Sequence, residues 1–490
     1  MNYSQFLNML PEIGLVLMLI IVFFADLIMK PGVQKVKSLS LLTTLLFCAQ
    51  LAACFLAEHT SAFGGMYVTS AATGVMKLIL TAGTLIVIIM AQSWLERDDV
   101  QRMAGEFHML IISTLLGMYF MMSSGHFLLF FLGLELASVP LACLAAFDKY
   151  KKQSAEAAAK FILLATFSSG VMLYGLSFIY GATGTLYYDD IFVVLSKTYM
   201  ASPLHILGLV FFFSGLGFKL SLVPFHFWTA DTYEGAPTPV TGYLSVISKG
   251  AAAFTLLVIL FRVFEPMQQY YQYLLYIVIV LSITIANLFA IRQSELKRFM
   301  AFSSISQAGY IMLAVIGNDC QMSTTALIYY VLVYVVANMA VFTVINVVEQ
   351  KGQTANGQPL TAISAYDGFY QTNPKLAFLM TLALFSLAGI PPFAGMFSKF
   401  FVFMAGVAGH ESMPFWSYFV VFIALINTVV SLYYYLLIVK AMYIKQTDTP
   451  LTTFQSDGYT KTAMAICTAG IVLFGICSCI YDWIYASAII

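Results

Sequence analysis

The stretch Lys219-Leu-Ser-Leu-Val-Pro224-Phe-His226-Phe-Trp228 places a lysine, a proline and a histidine inside an apolar run spanning residues 205–230. An α-helix needs about 20 apolar residues to cross roughly 30 Å of hydrocarbon. A lysine near the middle of such a helix costs about 2.5–3.5 kcal/mol even on the mildest scale. Proline removes one helix hydrogen bond and clashes with the carbonyl four residues earlier. The stretch therefore predicts a membrane helix broken at depth, with a cation beside the break. Irregular backbone is tolerated there only when it is buried in protein or lines an aqueous cavity.

The rest of the chain agrees with a membrane setting. Of its 490 residues, 61% are hydrophobic and 9% charged, against about 25% charged in soluble domains. Water-soluble classes are excluded. The apolar runs are too long, and lack the alternation, for a transmembrane β-barrel. A net charge of zero implies no nucleic-acid partner. The seven cysteines fall mostly in apolar runs, where cysteine packs as a small apolar residue. They offer no metal or cluster spacing, and no phosphate loop or dinucleotide fingerprint is present. The first apolar run, Leu10 to Met29, follows an uncharged segment and reads as the first span rather than a signal peptide.

The reading gives an all-α polytopic protein with about fourteen transmembrane helices. They lie near 11–29, 39–57, 75–93, 107–123, 126–146, 158–180, 205–230, 240–262, 273–291, 299–317, 324–348, 376–403, 415–440 and 461–484. Sixteen of the 23 lysines and arginines fall in loops that follow odd-numbered spans, and only Lys197 and Arg262 fall in the others. The positive-inside rule then puts both termini on the outer, periplasmic side. A second break is expected at Pro391-Pro392, which is followed by Lys399. Broken helices at matching positions of two halves mark inverted repeats. The chain, a single membrane domain over 1–490, divides into three N-terminal helices (1–104), a first five-helix repeat (105–263), a second (270–440) and a C-terminal loop and helix (441–490).

Five lysines and one glutamate lie within these spans or at their edges: Lys77, Lys160, Lys219, Lys249, Lys399 and Glu135. Intramembrane ionisable groups commonly mark ion or proton paths. Glu135 has apolar neighbours on both sides, and burial penalises its charge unless a cation lies beside it. Lys219 is the expected partner. Opening such a pair releases a proton, and closing it takes one up. Lys249 precedes Gly-Ala-Ala-Ala, whose small side chains leave room for water. His226 follows the first break and suits a proton relay, although a hydrogen-bonded structural histidine is the plainer alternative. Lys160 lies close to a span end, where snorkelling competes with a functional role. Lys77 sits at a span edge and is expected to be interfacial. The remaining histidines, His59, His108, His126, His205 and His410, fall near span ends and are expected to be at the surface or interfacial.

Three motifs carry a family likeness. The segment Lys219–Val240, the segment Ser294–Gly309 (Ser294-Glu-Leu-Lys297-Arg-Phe-Met-Ala-Phe-Ser-Ser-Ile-Ser-Gln307-Ala-Gly309) and the segment Ala388–Phe400 (Ala388-Gly-Ile-Pro391-Pro392-Phe-Ala-Gly395-Met-Phe-Ser-Lys399-Phe400) occur in that order. They resemble the signatures of the antiporter-like membrane subunits of respiratory complex I, the bacterial NADH:quinone oxidoreductase. The long C-terminal lateral helix of subunit L is not evident, and Lys399 stands where subunit M is expected to carry glutamate.

The resemblance implies fourteen helices with two inverted five-helix repeats. It also implies a charged pair Glu135–Lys219, a central bridge at Lys249, a second half-channel at Lys399 and a role for Lys160. Beyond Lys399, the second repeat has no intramembrane charge of its own. The expected function is proton translocation in the cell inner membrane, alongside subunits M and L and small membrane subunits. No cofactor is expected on this chain. NADH, FMN, iron–sulfur clusters and quinone would be handled by other subunits. A subunit of a multisubunit monovalent cation/proton antiporter is the alternative.

Overall fold

The computed structural model describes residues 3–57, 59–197, 202–352, 360–408, 414–447 and 451–489; His410 falls outside them. The elements, in order, are α1 (Leu10–Ile28), α2 (Val33–Leu56), a two-residue hairpin of β1 (Ser61–Ala62) and β2 (Tyr67–Val68), α3 (Ala71–Leu95), α4 (Ala104–Met122), α5 (Phe127–Ala145) and α6 (Lys152–Thr183). They continue with α7 (Tyr188–Lys197), α8 (Pro203–Leu220), α9 (Phe227–Gly235), α10 (Thr238–Tyr243), α11 (Lys249–Arg262), α12 (Gln268–Ile291) and α13 (Leu296–Val315). The remainder is α14 (Cys320–Lys351), α15 (Phe369–Thr372), α16 (Pro374–Ala388), α17 (Ala394–Val407), α18 (Pro414–Tyr443), α19 (Gly458–Ile476) and α20 (Cys479–Ser487).

Among the described residues, twelve helical segments are long and apolar enough to cross a membrane. The other two expected spans correspond to α13, of 20 residues, and to the half-helices α16 and α17, of 15 and 14 residues. The helices begin where the sequence supplies caps. The Ser70 hydroxyl accepts from Thr73 N–H at α3, and the Asp319 carboxylate accepts from Met322 N–H at α14. Short bridges Tyr67–Ser124 and His126–Tyr187 gather the loops on the face where α1 begins, here called the amino-terminal face; Glu295–Ala362 ties loops on the opposite face.

The core is central rather than uniform. In α10–α11 and in α14, 94% of the most apolar window is buried, against 28% in α1 and 33% in α6. Leu17, Phe24, Leu163 and Phe167 project outward, as lipid-facing residues do. Close approach of α4 and α5 needs glycine: a Cβ at Gly117 would lie 2.4 Å from Ala137 N, and one at Gly133 would lie 2.5 Å from Met121 N.

Boundaries shift by several residues; α6 begins at Lys152 rather than near residue 158, and two other shifts have consequences. Helix α2 starts at Val33 rather than near residue 39, so Lys35 and Lys37 belong to the helix and Lys35 pairs with Asp26 at 2.7 Å. The last span ends at Ile476, and α20 follows as a separate short helix. Neither change alters the order of the long helices.

Candidate functional site

Both breaks fall where the prolines stand. Helix α8 ends at Leu220, Ser221 takes the left-handed conformation (φ 63°), Val223–Pro224 is cis, and α9 begins at Phe227. The backbone groups released by the break find partners, as they must in a membrane interior. The Trp228 indole N–H donates to Phe218 O at 3.0 Å, and Val223 N–H donates to Ser282 Oγ at 2.9 Å. At the second break, α16 ends at Ala388, Gly389 has φ 89°, and Pro391–Pro392 is cis. There Gln307 Nε2 donates to Leu387 O at 3.2 Å and Lys399 Nζ donates to Ala388 O at 2.9 Å.

These contacts resolve an asymmetry in the sequence, where Lys219 precedes its proline and Lys399 follows its pair. Lys219 lies in the last turn of α8, and Lys399 reaches from α17 back to the last carbonyl of α16. Lys219 thus stands in the last turn of one half-helix, and the Lys399 ammonium sits at the carboxyl end of another. The partial negative charge of the unpaired carbonyls favours a cation at that end.

Lys219 is 4% exposed, and its Nζ donates to Ser138 Oγ at 2.7 Å. No ion pair within 4.0 Å joins it to Glu135 among the described residues, although Glu135 is the charged neighbour that acts on it. Glu135 is half-buried on α5, and its Oε1 is enclosed without a hydrogen-bond partner. The expected pair is thus adjacent but open.

Lys249 is 1% exposed and donates to Ser304 Oγ on α13 at 2.7 Å, with the Tyr233 ring 5.4 Å away. It directly follows a single π-helical turn, Leu244–Ser248. Such turns loosen the regular hydrogen-bond ladder and often occur at functional sites. Ser304 also contacts Ser245 O at 3.4 Å, and Asn338 donates to Ser245 Oγ.

From Ser304 the polar line continues along α13. Gln307 donates to Tyr435 Oη at 3.2 Å and accepts from Tyr330 Oη. A cavity of about 10 Å³ separates Gln307, Tyr330, Tyr334 and Ser386 from Lys399, a volume at the lower limit for one water. Lys399 is 4% exposed and lies 4.9 Å from the centre of the Tyr310 ring. The second half, short of acids, is thus furnished with tyrosine hydroxyls and amides.

The structure does not bring Lys160 into this line. It lies at the opposite face, half-exposed, paired with Glu156 and Asp231 at 2.7 Å each. Arg298 joins the cluster through Asp231 at 2.8 Å and Glu234 at 2.6 Å. Close by, a cavity of about 320 Å³ is lined by Asp148, Glu234, Lys297 and Glu349. His226 is half-buried, stacked against the Phe227 ring, and, among the described residues, is not hydrogen-bonded to Lys219, Lys249 or Lys399.

Two sequence readings are corrected. Lys77 is not interfacial: it is 1% exposed and forms a 2.6 Å ion pair with Glu12, a residue the sequence reading passed over. Glu12 lies in the first turn of α1 and Lys77 in the second turn of α3, so a position count puts both near the surface. Packing of α1, α3 and α4 around them buries them instead. His108 and His205 are likewise buried, and His108 Nδ1 lies 2.6 Å from Ala104 O.

A bundle of membrane-length helices with two broken helices and three fully buried lysines near its centre is the construction of an ion-pathway membrane protein. Comparison with known proteins identifies the group. The sequence profile of the NADH:quinone oxidoreductase/Mrp antiporter transmembrane family matches residues 124–431. A relative from Phocaeicola vulgatus, NADH-quinone oxidoreductase subunit N, is 55% identical over 100% of both chains. A chain of respiratory complex I from Thermus thermophilus superposes with a TM-score of 0.76 at 30% identity, covering 95% of this chain and 97% of that one. A chain of the Mrp complex from Dietzia sp. superposes with a TM-score of 0.83 at 18% identity, over 100% and 97%, a likeness of fold. The chain belongs to the NADH:quinone oxidoreductase/Mrp antiporter membrane family and, within it, to the subunit N group.

Proposed function

We propose that the chain is a proton-translocating membrane subunit of an NADH:quinone oxidoreductase, coupling electron transfer elsewhere in the complex to proton movement through its buried Glu and Lys residues. The observation that carries this reading is the set of polar groups buried in an otherwise apolar core: Lys219 bonded to Ser138, Lys249 bonded to Ser304, and Gln307 and Lys399 lining one small cavity.

In this reading the chain carries no redox centre. NADH, FMN, iron–sulfur clusters and quinone belong to other subunits, and the antiporter-like subunits M and L are neighbours. The chain crosses the cell inner membrane fourteen times with both termini outward. Its two five-helix units span 105–263 and 270–440.

Proton movement follows from the geometry of the residues. A perturbation arriving from a neighbouring subunit alters the spacing between Glu135 and Lys219. When the carboxylate moves away, Lys219 loses the charge that offsets its burial, and its proton passes towards Lys249. Lys249 hands a proton through Ser304 and Gln307 to Lys399. The cavity lined by Glu234 and Glu349 serves proton uptake, and Arg298 joins Glu234 to the Lys160–Asp231 pair. His226 and the two breaks flank the route.

The test is proton pumping by inverted membrane vesicles that carry Lys219→Ala. The expected result is fewer protons moved per quinone reduced. Unchanged stoichiometry rejects the reading, and sodium-dependent cation exchange without quinone chemistry points to the antiporter alternative.

A further inference from the structure

The N-terminal helices hold a second charged site, outside the residues matched by the family profile. Among the described residues, Glu12 and Lys77 form the one ion pair with both partners fully buried, at 2.6 Å. Tyr67 Oη donates to the second carboxylate oxygen at 2.8 Å, and Lys77 Nζ lies 3.3 Å from the same hydroxyl. The rings of Tyr67 and Tyr119 flank the ammonium at 5.4 and 5.3 Å. Tyr119 Oη is bonded to Thr81 and lies 3.2 Å from Cys54 Sγ.

This site connects in two directions. Inward, Thr81 is one turn from Thr84 on α3, and α3 packs on α10, whose Tyr243 stands six residues before Lys249. Helix α3 also packs directly on α11, with the Met76 and Leu80 side chains against Gly250. Outward, a cavity of about 450 Å³ opens at the amino-terminal face, lined by Val68, Ser70, Thr73, Ser124 and Arg262. Thr73 is one turn from Lys77, and Val68 adjoins Tyr67. A buried ion pair is seldom the more stable choice over an apolar pair of the same volume, so stability alone does not account for it.

We propose that Glu12 and Lys77 form a proton-exchange site between the central lysine line and the amino-terminal face. The ammonium proton of Lys77 passes along the 2.6 Å hydrogen bond to the Glu12 carboxylate, leaving a neutral amine and a neutral acid. A proton arriving through the Tyr119–Thr81 hydroxyls restores the ammonium. The acid then releases its proton to water in the cavity, restoring the carboxylate. The inference rests on the proton-pumping reading above.

The competing role is a clamp between α1 and α3, and Lys77→Arg separates the two. Arginine preserves the pair but does not deprotonate in proteins. The experiment measures protons moved per quinone reduced in vesicles holding the assembled complex, with Lys249→Ala as reference. Lys77→Arg is expected to assemble normally and to lose pumping to the same extent as Lys249→Ala. Full stoichiometry in Lys77→Arg, with a loss in Lys249→Ala, rejects this site and leaves the main reading standing. No loss in Lys249→Ala rejects the main reading itself. If Lys77→Arg does not assemble, the neutral double variant Glu12→Gln/Lys77→Gln replaces it, and full pumping by that variant overturns the proposal.

Discussion

Lys219 of α8 donates to Ser138 of α5 at 2.7 Å, and Ser138 stands three residues beyond Glu135 on the same helix. The ammonium is thus held about one turn away from the carboxylate without touching it. Glu135 Oε1 is enclosed and lacks a hydrogen-bond partner. A hydroxyl that competes with a carboxylate for one lysine makes two arrangements available to that lysine, an open one and a closed one.

Removing the competitor should favour the closed pair. A hydrogen bond to a charged group contributes about 1.5–3 kcal/mol. Ser138→Ala is therefore expected to draw Lys219 to Glu135 and to slow pumping several-fold. Assembly should be kept, because Lys219 retains a partner. Vesicle proton uptake per quinone reduced, set against the amount of assembled complex, measures both. Pumping at the normal rate rejects a switching role for Ser138.

The line between Lys249 and Lys399 depends on Gln307, whose amide contacts Leu387 O, Tyr435 and Tyr330. Leucine has a similar size and no polar group. Gln307→Leu is expected to break the line, leaving quinone reduction in uncoupled membranes near normal and proton pumping severely reduced. It also strands the Leu387 carbonyl, so a loss of about 1–3 kcal/mol in stability accompanies it. Equal losses of reduction and pumping point to simple misfolding.

Much of this arrangement was legible in the sequence. Lys219 and Lys249 each lie far inside an apolar run, so their depth follows from counting residues, and Lys399 is marked by its place just after the second break. The breaks follow from Pro224, Pro391 and Pro392, because proline acts locally. Glu12 and Lys77 were not legible in this way. Depth along one helix places them near a surface, and only the packing of α1, α3 and α4 removes them from it. One signal was available: a lone acid and a lone cation, each near the start of its helix at the same face. The open state of Glu135–Lys219 was not legible either, since spacing reports proximity and not which of two acceptors a lysine takes.

The second break imposes a steric limit at Gly395. A Cβ there would lie 1.6 Å from Ser386 O, a backbone atom. Gly395→Ala must push α17 away from α16, and overpacking of this kind costs about 1–3 kcal/mol. The expected result is a lower melting temperature of the purified complex and a weakened contact between Lys399 and Ala388 O. An unchanged melting temperature shows that the break can widen freely.

Lys399 holds the carboxyl end of α16 and also carries a charge, and two substitutions separate these tasks. Glutamine can still donate to Ala388 O but bears no exchangeable charge at neutral pH, whereas leucine supplies neither. Lys399→Gln is expected to assemble near normally and to pump poorly. Lys399→Leu leaves a carbonyl unpaired at membrane depth and is expected to lower assembly as well. Full pumping by Lys399→Gln assigns the lysine to holding the break, and the route then ends at the hydroxyls of Tyr310 and Tyr435. Poor pumping with normal assembly places the charge of Lys399 on the route itself.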